Sequence, residues 1–296
     1  MLNQHRKYGM VTPTVTLSRH GSIDSDAAKS LMQFLKKSGA KGAFIAGSTG
    51  NTPMLSLSEH KELIKQYLAY AKDEHLATFV GIGRDSIDET IRMGKYSIEL
   101  GADKLVIVTP YYLKEDQRQM HAYYSELLSK LDSEVLIYNI PSLTGNNIEA
   151  ETVAKLAEEN SNLEGIKSTN TDFDQFQKLI YYTDTDFLIF QGYDHLLLPS
   201  LELGASGGVC GTTNFTDIAE KLYQSYNRKE YTKCIKLHKQ LSSIYHILEP
   251  YEFPAVYNAM FYKIIKKAAI SDEPDLFGNI SKKEISFLSK KLSSLL

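Results

Sequence analysis

Cysteine is scarce in this sequence, and its scarcity removes several chemistries at once. Cys210 and Cys234 are the only two, they stand far apart, and no Cys-x-x-Cys spacing occurs. Neither a disulfide framework nor a zinc site is suggested. The eight histidines form no His-x-His or His-Glu-x-x-His pair, so a metal-dependent mechanism has little support. No apolar run approaches the roughly 18 residues that a membrane span requires. The N-terminal stretch MLNQHRKYGMVTPT carries charges but no apolar h-region. A cytoplasmic protein without membrane contact is expected. Charge of one sign is also lacking: 33 basic against 36 acidic residues leave a net charge of -3, with no charged tail. Nucleic acid is therefore not an expected partner.

What is present is the composition of an ordinary globular protein, 43% apolar and 23% charged over 296 residues, enough for one large α/β domain or two smaller ones. Short apolar or β-branched runs alternate with longer segments of helical period. The expected strands are residues 9–16, 42–49, 77–83, 104–110, 134–141, 163–169, 186–192 and 204–211. Between them lie segments such as DSDAAKSLMQFLKKSG, where an Asp or Ser opens a helix, apolar residues recur at three and four, and a Gly closes it. Continuous apolar strands, each followed by an amphipathic helix, imply a parallel sheet covered by helices. Eight such units in about 210 residues fit a (β/α)8 TIM barrel, an α/β fold, better than a doubly wound sheet. The latter would want a Gly-x-Gly-x-x-Gly turn after the first strand, and TPTVTLSRHG is not one. Residues 1–215 are expected to form the barrel core. Residues 216–296 read as the last barrel helix and a C-terminal helical extension, broken at EPYEFPAV and not an independent domain.

In such a barrel the chemistry gathers at the C-terminal ends of the strands. The residues standing there are rich in hydroxyls and include one lysine, Lys167, within NLEGIKSTN. A lysine amine attacks a carbonyl only after losing its proton, and burial disfavours the ammonium, so Schiff-base chemistry is one reading. A lysine paired with a buried carboxylate is the other. Tyr138 is a candidate proton shuttle for a carbinolamine or enamine, although a lone tyrosine is more often a core residue with a capped hydroxyl. The Tyr111–Tyr112 pair has the same bland reading. GSTGN offers the Ser48 and Thr49 hydroxyls and loop amides to a carboxylate, and is also a common loop. The glycines of GASGGVCG suit either a phosphate or a close approach of two backbones. The second is favoured, because no Arg or Lys stands among them.

Taken together, the motifs GSTG (47–50), TPYY (109–112), YNIPSLTG (138–145), GIKST (165–169) and GYD (192–194) resemble the class I, pyruvate-dependent aldolases of the dihydrodipicolinate synthase and N-acetylneuraminate lyase superfamily. The resemblance covers about residues 8 to 215. It implies that Lys167 forms the Schiff base with pyruvate or substrate, that Tyr138 transfers protons, and that Ser48 and Thr49 bind the pyruvate carboxylate. It further implies that Tyr112 reaches a neighbouring subunit's site, that Thr169 contacts the sugar-like part of the substrate, and that Gly192 and Asp194 lie where substrate contacts are made. No cofactor or metal is expected, the partners are a small 2-oxo acid and an aldehyde, and a homotetramer is expected.

Departures from the family pattern discriminate among its members. Leu143 stands where the synthase has an arginine that grips the second substrate's carboxylate. Asn51 replaces the glutamate of GSTGE, and His195 replaces the glutamate of the lyase's GYDE. GSTGNTPMLS matches the pattern of archaeal 2-keto-3-deoxygluconate aldolases, with Pro53 three residues after the second glycine and Leu55-Ser56 following. A 2-keto-3-deoxy sugar-acid aldolase is therefore expected. N-acetylneuraminate lyase, a synthase-like or dehydratase activity, and a non-catalytic barrel that binds a 2-oxo acid are the alternatives. Lys114 is a candidate for meeting a phosphate, though an exposed loop lysine is the plainer reading.

Overall fold

The computed structural model describes residues 5–19, 22–267 and 280–296. The first four residues of the N-terminal stretch, His20 and Gly21 of TPTVTLSRHG, and positions 268–279 of the extension lie outside these. In chain order the strands are β1 (Gly9–Pro13), β2 (Ser18–Arg19), β3 (Ser22–Ile23), β4 (Gly42–Ile45), β5 (Ala77–Gly81), β6 (Lys104–Val108), β7 (Glu134–Asn139), β8 (Leu163–Ser168), β9 (Leu188–Gln191) and β10 (Gly207–Gly208). The helices are α1 (Ser25–Ser38), α2 (Leu57–Asp73), α3 (Ile87–Glu99), α4 (Gln117–Lys130), α5 (Pro141–Thr144), α6 (Ala150–Glu159), α7 (Phe173–Tyr182), α8 (Leu197–Leu203), α9 (Ile218–Asn227), α10 (Tyr231–Leu248), α11 (Ala255–Met260) and α12 (Lys282–Leu292). Eight strands close into a parallel barrel in the order β1-β10-β9-β8-β7-β6-β5-β4, with helices between successive strands, which is the expected TIM barrel.

The local rules read from the sequence hold where they are most specific. Asp24 caps α1 by accepting from the Ala27 amide, and Gly39 ends that helix in a left-handed conformation, φ 90°. Ser86 caps α3 by accepting from the Glu89 amide. Ser56 and Glu59 form a capping box at the start of α2.

The strand ends differ from expectation for identifiable reasons. β1 stops at Pro13 rather than residue 16: the Thr14 amide still donates to the Phe44 carbonyl of β4, at 2.9 Å, but two amides beyond it find partners outside the ladder. The Val15 amide donates to Asn214 Oδ1, and the Leu17 amide donates to the Tyr67 hydroxyl. The stretch beyond 45 turns into two 3₁₀ segments, Ser48–Gly50 and Thr52–Met54. β10 keeps only two of eight expected residues. A β-carbon on its Gly207 would collide with the Gly9 carbonyl, so the glycine-rich run serves backbone approach, as favoured from the sequence. The antiparallel β2–β3 pair was not anticipated.

The chain divides into two compact units. One comprises Phe79–Val209 with the N-terminal segment up to Gly9, and the other Met10–Thr78 with Cys210–Leu296. In the first unit, the rings of Tyr8, Phe79 and Phe190 meet edge to face with centroids 5.5 to 6.1 Å apart. Lys104, at the first position of β6, is paired with Glu134 and Glu164, at or near the starts of β7 and β8. Arg6 also reaches Glu164, at 2.6 Å. In the second unit α9 packs along α10, and no strand follows residue 215 among the described residues.

Candidate active site

β7 and β8 run parallel in a register that makes Tyr138 the partner of Lys167 and Asn139 the partner of Ser168. Side chains alternate faces along a strand, so Tyr138 and Lys167 share one face at the C-terminal ends. The Lys167 Nζ lies 3.9 Å from the centroid of the Tyr138 ring. Both side chains are buried, at 5% and 3% exposure. Burial removes water from around the amine and the aromatic face it lies over.

Thr169 follows directly. Its amide donates to the Asn139 carbonyl at 2.8 Å, and its buried hydroxyl makes no hydrogen bond among the described residues. The Gly192 amide donates to the Ser168 carbonyl at 2.8 Å, and a β-carbon on Gly192 would fall on the Thr169 hydroxyl. Glycine at 192 is thus what leaves room for that hydroxyl. Asp194 opens the 3₁₀ turn Asp194–Leu196 and is buried. Between the two, the Tyr193 amide donates to Gln191 Oε1, the Tyr193 hydroxyl lies 3.5 Å from Ser142 Oγ, and its ring sits 5.3 Å from that of His195. Five of the expected residues, Lys167, Tyr138, Thr169, Gly192 and Asp194, therefore stand on consecutive strand ends of one unit.

Tyr112 is placed differently. Its side chain is 95% exposed, so it packs against neither Tyr138 nor Lys167 of its own chain, and its backbone is left-handed, φ 74°. A bulky residue seldom takes that conformation. Its neighbour Tyr111 is tied down instead, donating its hydroxyl to Asp85, and burial together with that carboxylate pushes the phenol well above its ordinary range. Leu143 is exposed on the short helix α5, and Lys114 is exposed on the loop before α4.

Ser48 and Thr49 belong to the other unit, on the 3₁₀ turn that follows β4. That turn is held from both sides. Thr16 donates its hydroxyl to the Gly50 carbonyl at 2.6 Å, and Thr52 donates its own to the Gly47 carbonyl at 3.1 Å. Asn51 ends the turn in the left-handed region, φ 55°, a conformation asparagine tolerates better than most residues. Among the described residues no group of three or more His, Cys, Asp or Glu is placed to hold a metal ion, and no helix is long and apolar enough to cross a membrane.

Reasoning from sequence missed Asn146 and Asn147, the two amides immediately after the YNIPSLTG motif, whose side chains bond Pro110, Leu113, Asn139 and Gln175. The one available signal was the doubled Asn itself, beside a turn glycine.

Comparison with known proteins bears on the family and the fold. The model of the Dihydrodipicolinate synthetase family matches residues 7–269. The 2-dehydro-3-deoxy-D-gluconate/2-dehydro-3-deoxy-phosphogluconate aldolase of Picrophilus torridus is 40% identical over 256 residues, covering 86% of this chain and 93% of the relative. The 4-hydroxy-tetrahydrodipicolinate synthase of a Hydrogenobaculum species is 31% identical, over 81% and 82%. Among solved structures, the 2-keto 3-deoxygluconate aldolase from Picrophilus torridus aligns with a TM-score of 0.83 at 39% identity, over 87% of this chain and 93% of the other. The dihydrodipicolinate synthase from Thermotoga maritima aligns at 0.90 with 27% identity, over 99% and 100%.

Proposed function

The chain belongs to the dihydrodipicolinate synthetase family, and from that premise we propose that it is a class I aldolase that reversibly cleaves a 2-keto-3-deoxy sugar acid, such as 2-keto-3-deoxygluconate, to pyruvate and an aldehyde such as glyceraldehyde. The observation that carries this reading is the buried contact of the Lys167 amine with Tyr138 at the ends of β7 and β8. The 40% identical sugar-acid aldolase supports the substrate class.

The neutral Lys167 amine attacks the 2-oxo carbon, and the carbinolamine loses water to become an iminium. Tyr138, with Tyr112 and Ser48, relays the proton leaving the C4 hydroxyl. The C3–C4 bonding electrons then flow to the iminium nitrogen, which releases the aldehyde and leaves an enamine. Protonation at C3 restores the iminium, and water hydrolyses it to pyruvate and free Lys167. The Ser48 and Thr49 hydroxyls hold the substrate carboxylate, while Thr169, Gly192 and Asp194 form the subsite for the sugar-like portion. The unsatisfied Thr169 hydroxyl supports that assignment, since a buried hydroxyl without a partner costs stability unless a ligand completes it. The exposed, left-handed Tyr112 supports a role in a neighbouring subunit; a homotetramer acting in the cytoplasm on small molecules belongs to the same proposal.

The 4-hydroxy-tetrahydrodipicolinate synthase at 31% identity favours a second reading, a synthase-like activity. Leu143 weighs against it, because an exposed leucine offers a second carboxylate no cation. The test is pyruvate release from 2-keto-3-deoxygluconate, from its 6-phosphate and from N-acetylneuraminate at equal concentrations, beside borohydride trapping with pyruvate. Faster release from the gluconates, with covalent mass on Lys167, is expected. Mass without release from any sugar acid would move the protein to the synthase reading, and no mass would end the Schiff-base mechanism.

A further inference from the structure

We propose that the dipeptide Asn146–Asn147 is a double clamp that positions the catalytic set, Asn147 fixing the facing of Tyr138 and Lys167 and Asn146 fixing the loop that carries Tyr112. The proposal rests on the aldolase reading of those three residues. It concerns the layer behind them.

Strand alternation turns Asn139 and Ser168 to the face opposite that of Tyr138 and Lys167, toward the helices. There the fully buried Asn139 gives its Nδ2 to Asn147 Oδ1 at 2.8 Å. The same oxygen accepts from Asn170 Nδ2 at 3.1 Å and from Gln175 Nε2, on α7, at 3.1 Å. Asn147 Nδ2 returns a bond to Gln175 Oε1 at 2.6 Å, and Gln175 Nε2 also reaches the Ile148 carbonyl at 3.0 Å. One carboxamide thereby joins the residue after Tyr138, the residue three beyond Lys167, and the helix that follows β8. A slip of either strand end would break its bond to Asn147 and disturb the oxygen that the other donors share.

Asn146 faces the other way. Its Nδ2 donates to the Pro110 carbonyl at 2.8 Å and the Leu113 carbonyl at 2.7 Å, and its Oδ1 accepts the Glu115 amide at 2.9 Å. These carbonyls bracket Tyr111 and Tyr112, so the bonds hold the loop in which Tyr112 takes its left-handed backbone. Asn146 is itself buried, and its amide donates to Thr144 Oγ1 at 3.3 Å.

The two residues use the carboxamide unequally, which makes the proposal testable. Asn147 works mainly as an acceptor, so aspartate there keeps three of its four side-chain bonds. Asn146 donates twice, so aspartate there sets a carboxylate against two carbonyls. The experiment measures the rate of borohydride trapping with pyruvate, together with kcat and KM for sugar-acid cleavage, in Asn147→Leu, Asn147→Asp, Asn146→Ala, Asn146→Asp and a packing control, Val153→Ala on α6.

Asn147→Leu is expected to slow trapping and kcat by about 10²-fold, the scale on which a misplaced reacting group acts, and Asn147→Asp to restore most of the rate. Asn146→Ala and Asn146→Asp should keep the trapping rate and lose kcat with little change in KM. Val153→Ala should keep both rates. If Asn147→Leu does not fold, Asn170→Ala, which removes one donor, should still lower trapping. Trapping at the unmodified rate in the Asn147 and Asn170 variants, or losses equalled by Val153→Ala, would overturn the clamp while leaving the aldolase reading intact. A parent protein that gains no mass with pyruvate would overturn the aldolase reading, and the clamp with it.

Discussion

Two lysines of this chain lie on neighbouring parts of one sheet, both more than nine-tenths buried, and they show what burial does and does not say about function. Lys104 opens β6 and is 7% exposed; Lys167 sits near the end of β8 and is 5% exposed. Lys104 is enclosed by two carboxylates, Glu134 and Glu164, and Arg6 adds a second cation on Glu164. Lys167 instead lies over the face of Tyr138, its Nζ 3.9 Å from the ring centroid. The bland reading of a buried lysine, pairing with carboxylates, is realised by Lys104. Position along the strand, rather than burial, separates the two. The starts of the strands carry stability and their ends carry chemistry.

The sharpest way to break that contrast is to remove Lys167. Lys167→Ala is expected to abolish cleavage and covalent trapping while circular dichroism and thermal unfolding report a folded barrel. Normal turnover in this variant would erase the distinction. Tyr138→Phe comes next and should slow turnover by about 10²–10⁴-fold, the range for a lost general acid-base group. Its unfolding midpoint should change little, because the ring stays packed against Lys167. An unaltered rate would remove Tyr138 from the reaction.

Lys104→Met tests the other side. It strips the cation from two carboxylates and is expected to cost about 3 kcal/mol, the low end for breaking a buried pair, since Glu134 is half exposed and water relieves part of its charge. Denaturant unfolding measures that loss. The kinetic constants of the folded fraction should match the parent's, and a fall in kcat comparable to that of Tyr138→Phe would mean that the two ends of the strands are not separate in function.

Much of this arrangement was legible beforehand because it rests on short-range rules. Eight apolar runs predicted eight strands, and Asp24, Ser86 and Gly39 punctuate helices where their side chains, or the lack of one, require. Lys167 and Tyr138 could be placed at neighbouring strand ends because strand ends are visible in the pattern. The clamp was not visible. Asn146 and Asn147 act through bonds to Pro110, Leu113, Asn139, Asn170 and Gln175, contacts set by the tertiary fold, and asparagine after a turn glycine looks like any loop. Strand length was overread for a related reason. Nothing local in Val15 or Leu17 says that Asn214 and Tyr67 will take their amides away from the ladder.

The smallest expected effect sharpens the contrast through pH. Burial by itself pushes the Glu164 carboxyl up, but hydrogen bonds from Lys104 and Arg6 outweigh it and hold the group below the usual carboxylate range. A group depressed in the native state stabilises the fold above its unfolded value and loses that contribution as pH falls through the lower native value. Arg6 is about half exposed, so Arg6→Ala should cost under about 1 kcal/mol at neutral pH. It should also move the onset of acid unfolding to higher pH, because one of the two cations holding Glu164 ionised is gone. Thermal unfolding between about pH 3 and pH 7 would follow this. A shift in the pH profile of kcat instead would tie Arg6 to Lys167 at the far end of the strand. A shift in unfolding alone would leave Arg6 and Glu164 where the geometry puts them, in the ion network that neutralises Lys104.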